Sequence, residues 1–182
     1  MSPDWPVETA RLILRPFVAE DFEAVHAMRS DAEVARYLYQ EPLSEEETRD
    51  RLARSIASWS SEGDWLSAAI VERASGATVG DVAFHWVSER DRTAEIGFIL
   101  DPRHQGKGYA TEAARGMLDW AFGTAGLHRV IGRTEARNTA SSRVLEKLGM
   151  RLEAHLVENE WVKGEWQSEL VYAVLDREWS PS

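Results

Sequence analysis

The chain has 182 residues, 43% hydrophobic and 29% charged, enough for one domain with a full core and short for two. It has no cysteine, which excludes disulfides, thiolate nucleophiles and cysteine-bound metals. The formal net charge of −10 argues against a general nucleic-acid binder, which needs a basic footprint. It suits either a solubilising surface or recruitment of a cationic substrate. No apolar run reaches the ~20 residues of a membrane span. The opening residues lack the basic and apolar regions of a secretory signal. A cytoplasmic protein with no membrane partner is expected.

Arg11 to Pro16 is a short apolar run ending at proline, read as a first strand on a sheet edge. Glu20 and Asp21 open a helix carrying Phe22, Val25, His26 and Met28, with a further helical stretch from Ala32 to Tyr39. Ser44 and Glu47 have capping-box spacing. Thr48, Leu52, Ile56 and Trp59 then form one apolar stripe, and Gly63 stops that helix. Two strands, Trp65 to Glu72 and Thr78 to Ser88, flank the turn at Ser75-Gly76 and read as a hairpin. Ala94 to Leu100 is a fourth strand, ended by Asp101-Pro102. The next helix, between Gly106 and Gly123, presents Ala110, Ala113, Met117 and Ala121 on one face, small enough to lie close to a sheet. Arg129 to Glu135 is a fifth strand. Asn138 caps a short helix that ends at Gly149. Strands near Arg151–Trp161 and Ser168–Leu175 follow, joined by Lys163-Gly164. The tail after Asp176 is expected to fray except at Trp179. This order predicts a single α/β domain over residues 1–182, its core at about 8–176, with a mixed sheet of about seven strands and about four helices.

The chemistry concentrates between Ala94 and Ala114. Arg103-His104-Gln105-Gly106-Lys107-Gly108-Tyr109-Ala110 places two glycines where a strand hands over to a helix N-terminus. Unpaired N–H groups there, at the positive end of a helix dipole, suit phosphate. The loop is not a Walker A sequence, and it lacks the third glycine of a dinucleotide fingerprint. It fits R-x-x-G-x-G through Arg103, Gly106 and Gly108. No histidine pair has metal-ligand spacing, so no metal is expected. His85 and His155 lie on strands. Trp59, Trp65, Trp86 and Trp161 read as core or cleft wall.

R-x-x-G-x-G resembles the acyl-CoA pyrophosphate loop of the GNAT N-acetyltransferase superfamily. Several further segments fit the same family in order: Ala94-Glu95-Ile96-Gly97-Phe98, Gly108 to Ala113, Asn138-x-x-Ser141, Glu146 to Met150, and Thr9-x-Arg11-Leu12-x-Leu14-Arg15 with Asp21. The set is similar to the RimJ/RimL-type branch, which includes ribosomal-protein N-terminal acetyltransferases, and it covers essentially the whole chain. The resemblance implies a sheet splayed between the fourth and fifth strands, with backbone near Phe98, Ile99 and Leu100 pairing with pantetheine. It implies that Gln105 to Ala110 hold the pyrophosphate of acetyl-CoA while Arg103 and Lys107 screen its charge, with His104 in the same loop. It implies that Asn138 bonds pantetheine and that Ser141 stabilises the departing thiolate. Both residues can equally serve the helix start. The tyrosine donor of many relatives is absent, since Leu145 stands at its position. Glu95 and Glu160 are the two candidates for the general base. The implied acceptor is a peptide or small-molecule amine in an acidic cleft, and the implied assembly is a monomer or homodimer. A binding module that holds acyl-CoA without turnover is the alternative.

Overall fold

Eight strands form one sheet in the computed structural model, which describes residues 1–55 and 59–181. They are β1 (Val7–Glu8), β2 (Leu12–Arg15), β3 (Trp65–Glu72), β4 (Thr78–Ser88), β5 (Thr93–Leu100), β6 (Arg129–Glu135), β7 (Arg151–Val162) and β8 (Glu165–Leu175). Their spatial order is β1-β2-β3-β4-β5-β6-β8-β7. Only β5 and β6 run parallel, and a helix makes the crossover between them. The described residues also form five α-helices: α1 (Phe22–Arg29), α2 (Ala32–Ala35), α3 (Glu45–Arg54), α4 (Tyr109–Gly123) and α5 (Thr139–Lys147).

Several expectations are corrected. The eighth strand is β1, two residues long and too short to show a period. It pairs with β2, so β2 is not the sheet edge. The stretch after Ala32 is helical only to Ala35, and α3 ends at Arg54 rather than near Gly63. Trp59 therefore lies beyond α3, although it is buried, and Ile56 lies outside the described residues. The tail is anchored. Asp176–Glu178 form a 3-10 turn, and the Trp179 Nε1–H donates to Asp119 at 2.8 Å.

The core lies between one sheet face and α4. Leu12, Leu14, Leu66, Ile70, Val82, Phe84 and Ile96 meet Ala110, Ala113, Ala114, Met117 and Ala121, all buried. The small residues bring α4 close, and the burial of each larger side chain contributes about 1.5–3 kcal/mol. The opposite face carries α1 and α3. Asp21, at the start of α1, is buried. It accepts bonds from Arg15 at 2.7 and 2.9 Å, the Val18 N–H at 2.9 Å and the Thr78 hydroxyl at 2.5 Å. That network ties α1 to β2 and β4. Farther along α1, the Arg29 guanidinium is buried against Asp81 of β4 as a hydrogen-bonded ion pair. Ser44 caps α3 as its spacing predicts: it accepts from the Glu47 N–H at 3.3 Å, and the Glu47 carboxylate accepts from its N–H at 2.8 Å.

Candidate active site

β5 and β6 pair over three residues only, Thr93–Glu95 against Arg129–Ile131. Beyond that point β5 stays with β4 as far as Leu100, and β6 stays with β8 as far as Glu135. The sheet therefore parts like a V, and the β5 edge after Glu95 is left without a strand partner on the β6 side. A cleft of about 670 Å³ opens there. Gly97, Phe98 and Ile99 form one wall, and Thr134, Glu135, Asn138 and Ser141 form the facing wall. A Cβ built on Gly97 would meet nothing within 4 Å, so the space above that residue is open. Leu145 also lines the cleft. It is buried against β6, where a Cβ on Gly132 would lie 2.6 Å from its Cδ2.

The glycine turn lies beyond the C-terminal end of β5, between Leu100 and α4. Gly106 and Gly108 have φ of 75° and 84°, which side-chain-bearing residues rarely adopt. Gly108 is the N-cap of α4, so the first N–H groups of that helix, from Tyr109 and Ala110 onward, have no intrahelical acceptor. The turn is staked from three sides. Arg11 donates to the Lys107 carbonyl at 2.9 Å and to Glu112 at 2.7 Å, Glu112 also accepts from the Thr9 hydroxyl at 2.6 Å, and the Tyr109 hydroxyl donates to Glu72 at 2.5 Å. The Gln105 amide donates to the Leu100 carbonyl at 3.2 Å, tying the turn to β5. Arg103 lies mostly in solvent and pairs with Asp101. His104 holds a buried Nδ1 with no protein partner among the described residues. Free backbone donors, a fixed left-handed turn and this nitrogen suit a pyrophosphate.

The other end of the cleft carries side-chain chemistry. Glu95 lies on its floor, 3.4 Å from Arg133 Nε. Burial pushes the Glu95 carboxyl above its usual range; Arg133 opposes this and Glu169 adds to it. Arg133 also pairs with the buried Glu169 at 3.1 Å, and the Tyr39 hydroxyl donates to Glu169 at 2.6 Å. Burial, with Glu169 second, raises the Tyr39 phenol far above its ordinary value, so it stays a donor. His85 stands opposite Glu95 across the β4–β5 ladder and stacks on Trp65 with centroids 4.6 Å apart.

The structure thus brings Glu95, Phe98, Ile99, Asn138 and Ser141 to one cleft, while Leu100 through Ala110 follow directly on from Ile99 along the chain and do not line it. Asn138 Oδ1 caps α5 by accepting the Ser141 N–H at 3.1 Å, which leaves the Asn138 amide NH₂ to donate elsewhere. Glu160 lines a small neighbouring pocket with Tyr39, Gln167 and Glu169. Trp161 is neither core nor cleft wall: it is exposed on the β7–β8 hairpin against Trp166. Glu169 and Arg133 escaped sequence reading. Glu169 is a buried carboxylate beside the apolar run of β8, and Arg133 is the one exposed residue in the otherwise mostly buried β6, so neither position announces itself by alternation. Arg11 and Glu112 lie in segments that fit the family pattern, but nothing in sequence brings the two together.

The model of the acetyltransferase (GNAT) domain family matches residues 11–151. An uncharacterized N-acetyltransferase of Bacillus subtilis, YnaD, is 31% identical over 174 residues, covering 96% of this chain and 99% of that protein. The spermidine N(1)-acetyltransferase of Escherichia coli K12 is 26% identical and covers 91% of this chain and 87% of its own. The crystal structure of a GNAT-family acetyltransferase from Bacillus anthracis superposes with a TM-score of 0.86 at 33% identity, over 94% of this chain and 98% of that one.

Proposed function

The chain belongs to the GNAT acetyltransferase family and is an acetyl-CoA-dependent N-acetyltransferase, and from that premise we propose that it passes acetyl directly to a primary amine within a ternary complex in the β5–β6 cleft. The observation that carries this reading is the parting of β5 from β6 after Glu95, beside a left-handed glycine turn. The unpaired β5 edge near Phe98 to Leu100 offers backbone groups to pantetheine in the manner of an added strand, and an N–H to the thioester oxygen as charge develops there. Gln105 to Ala110 hold the pyrophosphate, with Arg103, His104 and Lys107 at its rim. Arg103, paired with Asp101 and mostly in solvent, would meet the phosphate by exchanging that contact.

Asn138 donates its free amide hydrogens to a pantetheine carbonyl. Ser141 donates a hydrogen bond to the departing sulfur; a hydroxyl is too weak an acid to give up its proton outright. Glu95 takes the proton from the amine. It is the candidate base on the cleft floor, and its raised carboxyl is closer in basicity to an amine. Glu160, behind Tyr39, shapes the wall and adds negative charge. The sequence pattern around Asn138, Ser141 and Glu160 supports a place in the RimJ/RimL-like branch. The spermidine relative supports small amines as acceptors. No helix among the described residues is long and apolar enough to cross a membrane.

Initial rates with both substrates varied test direct transfer. Intersecting double-reciprocal lines are expected. Parallel lines would mean an acyl-enzyme, for which the chain supplies no cysteine.

A further inference from the structure

The cleft is not the uniformly acidic one that a net charge of −10 suggests. Four arginines and four carboxylates line it: Arg29, Arg51, Arg54 and Arg133 with Glu47, Asp81, Glu95 and Glu135. Their distribution is uneven. Arg29 pairs with Asp81, and Arg133 lies between Glu95 and Glu169. Glu135 pairs with Arg137 and Glu47 closes the α3 capping box. Arg51 and Arg54, on α3, have no carboxylate partner among the described residues, and Arg54 Nε is bonded only to the Asp50 carbonyl at 3.1 Å.

Arg51 is half-buried on the cleft wall. Burial, then the charge of Arg29, pushes its guanidinium below the ordinary value, and Asp81 only partly compensates. Arg29 itself has a side chain 4% exposed, and its Nε is buried with no partner among the described residues. Desolvated cations with unused donors are where an incoming anion gains most, because it supplies charge-assisted bonds that the protein leaves unmade. A cation entering the same space would meet repulsion instead. The two ends are separate. Asp81 faces Ile99 across the β4–β5 ladder and His85 faces Glu95. Four residues of strand place them ~13 Å apart at the backbone, less the inward reach of the side chains.

Resting on the transfer reading above, we propose that the acceptor is a small primary amine that also carries an anionic group, a carboxylate or phosphate, which Arg51 and Arg29 receive with Arg54 at the rim while the amine lies toward Glu95. Such a molecule complements both ends at once. A polyamine would set a second ammonium beside Arg51 and Arg54.

The test is calorimetric titration of the full chain, saturated with CoA, using matched probes: 5-aminovalerate, cadaverine of the same chain length, and 4-aminobutyl phosphate. Wild type is expected to bind 5-aminovalerate or the phosphate at least ~10-fold more tightly than cadaverine, as a hydrogen bond to a charged group requires. The order of the two anions identifies carboxylate or phosphate. Arg51→Gln should erase the preference over cadaverine and Arg51→Glu should invert it, with circular dichroism reporting the fold. Arg54→Gln, at an exposed position, gives a smaller loss and serves if the Arg51 variants do not fold. Equal binding of all three probes, or a preference that no α3 variant moves, would overturn the proposal. Calorimetry reads binding without turnover. Absence of transfer to every amine would therefore strike the transfer reading while this test still decides the anion site.

Discussion

The proposed donor and acceptor sides of the cleft are built from different material. The donor end is mostly backbone: an unpaired strand edge, a left-handed glycine turn and a helix N-terminus, all within Thr93–Gly123. The acceptor side, toward α1 and α3, is made of side chains from elements far apart in sequence: Arg29 and Arg51 from α1 and α3, Tyr39 from the segment between them, Glu95 from β5, Arg133 from β6 and Glu169 from β8. Backbone recognition needs glycine at fixed spacing and tolerates most other changes. Side-chain recognition can be rewritten one residue at a time. One scaffold can thus keep its donor while its acceptor varies.

The largest effect expected from breaking the donor end comes from Gly108→Glu. It forces a side chain into φ of 84° and puts a carboxylate into the proposed pyrophosphate site, so acetyl-CoA should give no binding heat while circular dichroism stays native. Native-like affinity would show that the turn is only a connection. On the proposed acceptor side, Asp81→Ala leaves the buried Arg29 uncompensated and should cost about 3–5 kcal/mol in urea unfolding. A loss near zero would mean that water reaches the pair.

Next comes the proposed base. Glu95→Gln should lower kcat/KM about 100-fold and remove the acidic limb of its pH profile. The wild-type limb should lie above the ordinary glutamate value of 4.5, because the carboxylate is lost as pH falls through a raised pKa. Glu160→Gln should change kcat/KM by no more than a few-fold; the reverse ranking would move the base to the β7 side of Tyr39. The smallest effect concerns the frame between the two ends. Burial alone would raise the Asp21 carboxyl, but bonds from Arg15, Thr78 and the Val18 N–H outweigh it and hold the pKa below 3.8. A depressed carboxyl stabilises the fold above its unfolded pKa, and that contribution disappears as pH falls through the folded one. Arg15→Ala should therefore raise the midpoint of acid unfolding, and an unmoved midpoint would count against the network.

The same contrast explains what could be read from the sequence. Order and type of the longer elements were legible, because period and turn chemistry are local: β3, β4 and β6 have the expected ends, and the Ser44–Glu47 and Asn138 caps are in place. The left-handed glycine turn ahead of α4 was legible because positive φ at fixed spacing leaves a contiguous glycine signature. The acceptor network was not. Glu169 sits beside an apolar run on β8, Arg51 looks like an ordinary helix-surface charge, and their roles arise only when α1–α3 close over the sheet. Trp59 matched the period of α3, yet that helix ends at Arg54 and the tryptophan reaches the core from beyond it. On β7, the register shift between Leu156 and Glu160 breaks the alternation from which a facing direction would be inferred.

Amine-dependent thiol release tests the central claim most directly. With saturating acetyl-CoA and a panel of primary amines and N-terminal peptides, released thiol should appear only with an acceptor and match acetylated amine one for one by mass spectrometry. Tight binding of CoA with no thiol released on any amine would contradict the account and leave a regulatory acyl-CoA-binding module in its place.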